Sequence, residues 1–332
     1  MDYGNTIILQ ARQDVLSGKN VSLSLFNDFL AAVAQSQGPA LASLLTGARD
    51  IRLARLGRSV SLCAIVNARS GRCSENCAFC AQSSHFDTSA PVYPFLPQTN
   101  ILAAAQAMRS VGATRFGIVL SGASPTTRDF GLLLEAVRGV ADLGMHADAS
   151  CGLLEANEFD SLKRAGLSAY HHNLETARSF FPSICSTHNY DQDVAAVKTA
   201  LDAGLYVCSG GIFGLGESWA QRAELALTLR ELGVPSVPVN FLHPIPGTPM
   251  AGRAPLDPVE ALKIVALLRF LLPDAHLRIC GGRQTVFAEK GLAPMETGGS
   301  GLMIGDYLTT KGLEAAADVD GLRQLGWEMD RE

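Results

Sequence analysis

Three cysteines, Cys73, Cys77 and Cys80, fall within one short stretch, SGRCSENCAFCAQSS, spaced C-x3-C-x2-C. Thiolates this close on one segment make a metal-binding element, because soft sulfur ligands select iron–sulfur clusters or zinc. A structural zinc takes four protein ligands, and its cysteine pairs usually read C-x2-C. Three thiolates can instead grip three corners of a four-iron cluster. The fourth iron then lacks a protein ligand and can bind a substrate. The alternative is a zinc completed by a distant cysteine or by His85. Five further cysteines, Cys63, Cys151, Cys185, Cys208 and Cys280, are spread along the chain.

The compartment bears on what eight cysteines mean. The chain has 332 residues, of which 47% are hydrophobic and 18% charged, with a net charge of -5. That composition is globular and shows no disorder. No basic stripe points to nucleic acid. No apolar run reaches the ~18 residues of a membrane span. The N-terminus, MDYGNTIILQARQ, lacks the basic and apolar regions of a signal peptide. The cysteines are therefore expected in a reducing cytosol, where they bind metal or react more often than they form disulfides.

The elements that must position these thiols follow from periodicity. Residues 1–55 read as a helical extension, with apolar residues at helical spacing in NDFLAAVAQ and ALASLLTGARDIRLARLG. Eight strand-like runs follow, at 59–68, 114–121, 145–150, 168–175, 205–214, 236–242, 276–282 and 301–306. Amphipathic helical stretches lie between them, ending near Gly or Pro. Strand–helix alternation predicts a parallel sheet, and eight repeats predict a (β/α)8 barrel over 56–332. A doubly wound sheet is the alternative. Segment 285–300 has no clear period, and DVDGLRQLGWEMDRE reads as a closing helix. In such a barrel the triplet falls in the first loop at the catalytic end. The other five cysteines fall on strands or top loops, a sulfur-rich interior that suits a second cluster.

The C-x3-C-x2-C motif, with Phe79 before its last cysteine, resembles the radical S-adenosylmethionine enzymes. That resemblance implies a 4Fe-4S cluster whose open iron chelates S-adenosylmethionine. One electron then cleaves the sulfonium, and the 5′-deoxyadenosyl radical abstracts hydrogen from an unactivated carbon. Further segments, YHHNLET, VCSGGIFGLGE, SVPVNFLHPIPGTP, GGRQ and IGDYLTTKG, are together similar to the biotin synthase family. The similarity implies sulfur insertion into dethiobiotin, with the sulfur drawn from an auxiliary cluster. It also implies a flavodoxin- or ferredoxin-type electron donor and a homodimer. Other radical enzymes of the subgroup, a hydrogenase maturase or a methylornithine synthase, are the nearest alternatives. A non-catalytic iron–sulfur or zinc protein is the alternative of another class.

The resemblance also assigns residues. Asn173 and Glu175 match residues that bind S-adenosylmethionine or dethiobiotin, and Asn240 faces the ureido ring. His188 falls where the family has a cation near the methionyl carboxylate. Phe79, Gly216 and Glu217 join the cofactor side, the glycines of GIFGLGE allowing close backbone approach. The family's 2Fe-2S auxiliary pattern uses three strand cysteines and an arginine. Cys208 and Arg283 match that pattern, whereas Gly117 and Asp148 stand where two thiolates are expected. The chain therefore resembles a divergent class. Its auxiliary cluster is expected to be four-iron, held by Cys63, Cys185, Cys208 and Cys280, with Cys151 as a substitute.

Overall fold

The computed structural model describes residues 3–330. Ten strands run in chain order: β1 (Ser59–Arg69), β2 (Arg115–Leu120), β3 (His146–Ser150), β4 (Leu167–His171), β5 (Tyr206–Cys208), β6 (Gly211–Phe213), β7 (Ser236–Phe241), β8 (His276–Ile279), β9 (Gly301–Met303) and β10 (Glu328–Met329). Each of β2, β3, β4 and β5 pairs in parallel with the strand before it, and β7, β8 and β9 continue the ladder. Then β9 pairs with β1, which closes the sheet and excludes the doubly wound alternative. Both β5 and β6 pair with β7, so together they make one barrel strand and the barrel has eight. The strand expected at 205–214 is thus broken at Ser209–Gly210. Only glycine fits at that break: a Cβ on Gly210 would sit 2.1 Å from the Pro238 carbonyl oxygen.

Helices between the strands pack on the outside, and local chemistry sets their starts. Ser218 and Asn189 head capping boxes with Gln221 and Gln192. Asp257 accepts from the amides of Val259 and Glu260, with Pro258 at the first helical position. Residues 285–300 fold as short helical pieces, Arg283–Phe287, Ala288–Lys290 and Ala293–Thr297. The closing helix spans only Ala315–Gln324. Beyond it the chain extends, and Ser59 and Val60 of β1 pair with β10. Residues 331–332 of that stretch, like 1–2 of the extension, lie outside the described residues.

Helices Tyr3–Leu16, Leu23–Gln35 and Gly38–Leu56 pack against the outer helix Pro258–Leu271. Phe29 meets Phe270 at 5.1 Å between ring centres. Arg52, fully buried, donates to the carbonyls of Ser59 (2.6 Å) and Gly299 (3.2 Å) and stacks on Trp327. It thereby ties the helical extension to the end of the barrel where β1 starts, opposite the loops that follow the strands. No helix among the described residues is long and apolar enough to cross a membrane.

Candidate active site

A cavity of roughly 440 Å³ runs from the loops above the strands into the barrel. Cys73, Cys77 and Cys80 line it from the loop after β1. The chain leaves β1 through Gly71 and Arg72, both with positive φ, and turns tightly enough that the Cys80 amide donates to the Cys77 carbonyl (2.9 Å). Gln82 anchors the loop. Its side-chain oxygen accepts from Asn67 (3.1 Å), Ser70 (3.0 Å) and the Gly71 amide (3.3 Å), and its carbonyl accepts from the Cys73 amide (3.0 Å). Phe79 packs with Ala78, Leu215 and Leu242 and also lines the cavity. Burial pushes the Cys80 thiol up to about 11. His85 is not turned to this group: its Nε2 bonds the Ser74 carbonyl at 2.9 Å.

A second set of thiols lies within the barrel. Cys63 on β1, Cys208 on β5 and Cys280 just past β8 are all buried and line the same cavity. Arg278 lies two residues before Cys280, on the same face of β8. Burial opposes its charge, yet Cys63, Cys208 and Cys280 raise the guanidinium above its ordinary value. Burial likewise pushes all three thiols up, and Arg278 pulls each of them back. Arg278 also donates to the carbonyl and hydroxyl oxygens of Ser61, each at 3.2 Å. Among the described residues, neither three-thiol set gathers its sulfurs within 4.8 Å of one another. A single tetrahedral ion would hold them about 3.8 Å apart. Neither set is therefore drawn together as tightly as a single tetrahedral ion requires.

The positions where two thiolates were expected are otherwise used. A Cβ at Gly117 would meet Ile65 Cγ2 at 3.0 Å. Asp148 takes a two-pronged bond from Arg115, at 2.9 and 2.7 Å.

A polar wall connects the two thiol sets. Asn173 accepts from the Gly210 amide (3.1 Å) and lies 3.4 Å from the Glu175 carboxylate. Glu175 has a φ of 62°, because its backbone bridges to Gly210 and Ile212 while its side chain enters the cavity. Burial pushes its carboxyl up to about 7. His188 bonds Asp193 through Nε2 (3.3 Å) and Glu75 through Nδ1 (2.6 Å). The Asp193 contact first, then Glu75, raises the imidazole to about 9. Asp193 in turn accepts from His172 at 2.9 Å.

Several expected residues lie elsewhere. Cys185 does not line the cavity; its sulfur sits 3.9 Å from Cys77 Sγ, from which it accepts a hydrogen bond, and that bond draws it down to about 5. Cys151 belongs to the outer hydrophobic core and meets the Tyr170 hydroxyl at 3.6 Å. Arg283 lies past the end of β8 in its own short helix, fully buried and paired with Asp318. Arg278 holds the place in the cavity that Arg283 was expected to hold. Glu217 is spent inside its own loop, accepting from the amides of Gly214 and Gly216 (3.0 Å each) and from Arg222 (2.8 Å). Gly216 abuts Arg253 and is not a cavity residue, whereas Ile212 of the same motif is. Asn240 does face the cavity, but its amide already bridges the Gly211 carbonyl (3.3 Å) and the Gly281 amide (3.0 Å). Sequence reasoning missed Arg278, Asp193 and Gln82. For Arg278 a signal existed, namely its same-face spacing to Cys280.

The comparisons agree with this geometry. A family model of the Radical SAM superfamily matches residues 68–242, and one of the Biotin and Thiamin Synthesis associated domain matches 238–328. A biotin synthase of Syntrophotalea carbinolica is 48% identical over 302 residues, covering 90% of this chain and 92% of that protein. One from Trichlorobacter lovleyi is 46% identical over 329 residues, covering 98% and 99%. Among solved structures, a methylornithine synthase superposes with a TM-score of 0.84 at 18% identity, covering 97% of each chain. A hydrogenase maturase from Carboxydothermus hydrogenoformans gives 0.79 at 20% identity, covering 97% of this chain and 79% of that one. These last two share the fold, and their low identity carries no more than that. The relatives matched over nearly the whole sequence are biotin synthases, and the chain belongs to the biotin synthase family within the Radical SAM superfamily.

Proposed function

We infer that the protein inserts sulfur into dethiobiotin to form biotin, using S-adenosylmethionine. The observation that carries this reading is one cavity lined by two separate sets of three cysteines. Cys73, Cys77 and Cys80 would hold a 4Fe-4S cluster, which would supply the electron that cleaves S-adenosylmethionine, and an auxiliary cluster would supply the sulfur.

The protein's own part is to bind, orient and exclude water. Glu175, as a carboxylate, accepts from ribose hydroxyls, and Asn173 holds it. His188, kept cationic by Asp193 and Glu75, faces the methionyl carboxylate. Phe79 and Ile212 wall the cofactor side. Asn240 keeps one N–H and one oxygen lone pair free for a ureido group, because an amide has two of each. Cys63, Cys208 and Cys280, with Arg278 against them, would hold the auxiliary cluster, which we take to be four-iron. Arg278 offsets the negative charge of thiolates that burial would otherwise disfavour. The electron donor is of flavodoxin or ferredoxin type, and the enzyme works as a homodimer.

The test is anaerobic incubation with dethiobiotin, S-adenosylmethionine and a reductant. Biotin is the expected product. Formation of 5′-deoxyadenosine without biotin would move the reading to another substrate. For the auxiliary site, the Cys73/Cys77/Cys80→Ala variant should retain iron and sulfide in four-iron proportion; a variant free of iron would remove the second cluster from the account.

A further inference from the structure

Cys185 is, with Cys151, one of two thiols that the proposed reaction leaves unused, and its position is unusual. It is 5% exposed and lies behind Cys77 as seen from the cavity, with 3.9 Å between the two sulfurs. The contact is built into the backbone. The Ala78 amide donates to the Ile184 carbonyl at 2.9 Å, so residues next to each cysteine are bonded to one another. Asn76 completes the clamp. Its Oδ1 accepts from the Ser186 amide (2.9 Å) and the Thr187 amide (3.3 Å), its Nδ2 donates to Ser186 Oγ (2.8 Å), and its own amide donates to Thr187 Oγ1 (3.1 Å). These bonds involve no cluster, so they hold the two thiols together whether or not iron is present. A disulfide needs its sulfurs at about 2.05 Å, so the pair would have to close by a little under ~2 Å.

We propose that Cys77 and Cys185 form a reversible disulfide in the cluster-free chain, with Cys185 as the resolving thiol. The proposal rests on Cys77 being a cluster ligand, since cluster loss is what frees its sulfur. The oxidant is a small-molecule disulfide. Cys77, the thiol of the pair that lines the cavity, attacks it as its proton leaves, forming a mixed disulfide and releasing one small thiol. Cys185 then attacks the Cys77 sulfur, closes the internal bond and releases the second small thiol. Two protein thiols are oxidised, one small disulfide is reduced, and the protons leave on the released thiols. The bond keeps a cluster ligand from climbing to sulfinic and sulfonic acids, from which it does not return.

Reconstituted enzyme is stripped of iron with a ferrous chelator under argon and exposed to glutathione disulfide. Remaining thiols are alkylated, and the digest is mapped by mass spectrometry. The expected result is a Cys77–Cys185 cross-linked peptide as the main new species, with loss of both thiols. Dithiothreitol should reverse it and restore iron uptake. In Cys185→Ser the expected product is a glutathione adduct retained on Cys77, and in Cys151→Ser the map should be unchanged. A wild-type map with Cys77 bonded to Cys73 or Cys80, or with a stable glutathione adduct beside an alkylated Cys185, overturns the proposal. The cluster assignment fails separately: Cys77→Ala that still loads a cluster and cleaves S-adenosylmethionine would sink it, whatever the peptide map shows.

Discussion

Arg278 and Arg283 are near neighbours in sequence with opposite surroundings. Arg278 faces three thiols in the cavity, while Arg283 pairs with Asp318 outside it. Substituting each gives separate outcomes. Arg278→Met should lose the auxiliary-cluster share of iron and sulfide and form no biotin, with 5′-deoxyadenosine still produced. Arg283→Met strands Asp318 as a buried, unpaired charge, which costs about 3–5 kcal/mol. Its melting temperature should fall while iron per folded chain stays the same. Glu175 supplies a pH prediction. Its carboxyl is raised to about 7, so in the free enzyme it carries a proton below that pH. A ligand that needs the carboxylate binds best above the shifted value and loses up to ~tenfold per pH unit below it. S-adenosylmethionine affinity should therefore rise with pH through about 7 and then level off, and Glu175→Gln should flatten the profile; isothermal titration across that range reads both.

The loop after β1 shows how an element holds such residues. The triplet's spacing is local chemistry and was readable in the sequence. What holds its loop in place is a hub made by Asn67, Ser70 and Gln82, and Asn67 also donates to the Leu308 carbonyl (2.9 Å) in the loop after the neighbouring strand β9. Nothing in the spacing of a Gln and an Asn predicts that they meet. Gln82→Leu should leave the buried donors of Asn67, Ser70 and Gly71 short of an acceptor, at about 1–3 kcal/mol for the site. The expected signature is faster loss of iron from the first cluster to a chelator, with secondary structure unchanged by circular dichroism. The strand from 205 to 214 teaches the same lesson. Its strand-like run reads on through Ser209, Gly210 and Gly211, yet it divides there into β5 and β6, with Pro238 so close to Gly210 that no side chain would fit. That break turns the Gly210 amide to Asn173 and its carbonyl to Glu175.

At the scale of the molecule, charge burial fastens the barrel to its surroundings. Arg269, fully buried on the helix Pro258–Leu271, donates to the carbonyls of Leu272, Pro273, Ala275 and Gly298. Burial lowers its guanidinium to about 9. Arg269→Met removes the donor for these oxygens, and about 3 kcal/mol or more of stability should go with it. Thermal unfolding of the iron-free chain would measure that loss. The sequence by itself determined the barrel, the triplet and the family, because each is written in local terms: period, spacing and contiguous motif. It also placed Cys63 and Cys208 on strands and Cys280 at the end of one. Only the tertiary structure decided which thiols share a cavity, because a strand's facing and a loop's return are settled by packing across the barrel. That packing sent Cys185 to Cys77 and Cys151 to the outer core. It set Arg278 against the inner thiols, since residues two apart on a strand share a face, and it left Arg283 beyond the strand's end with a partner of its own.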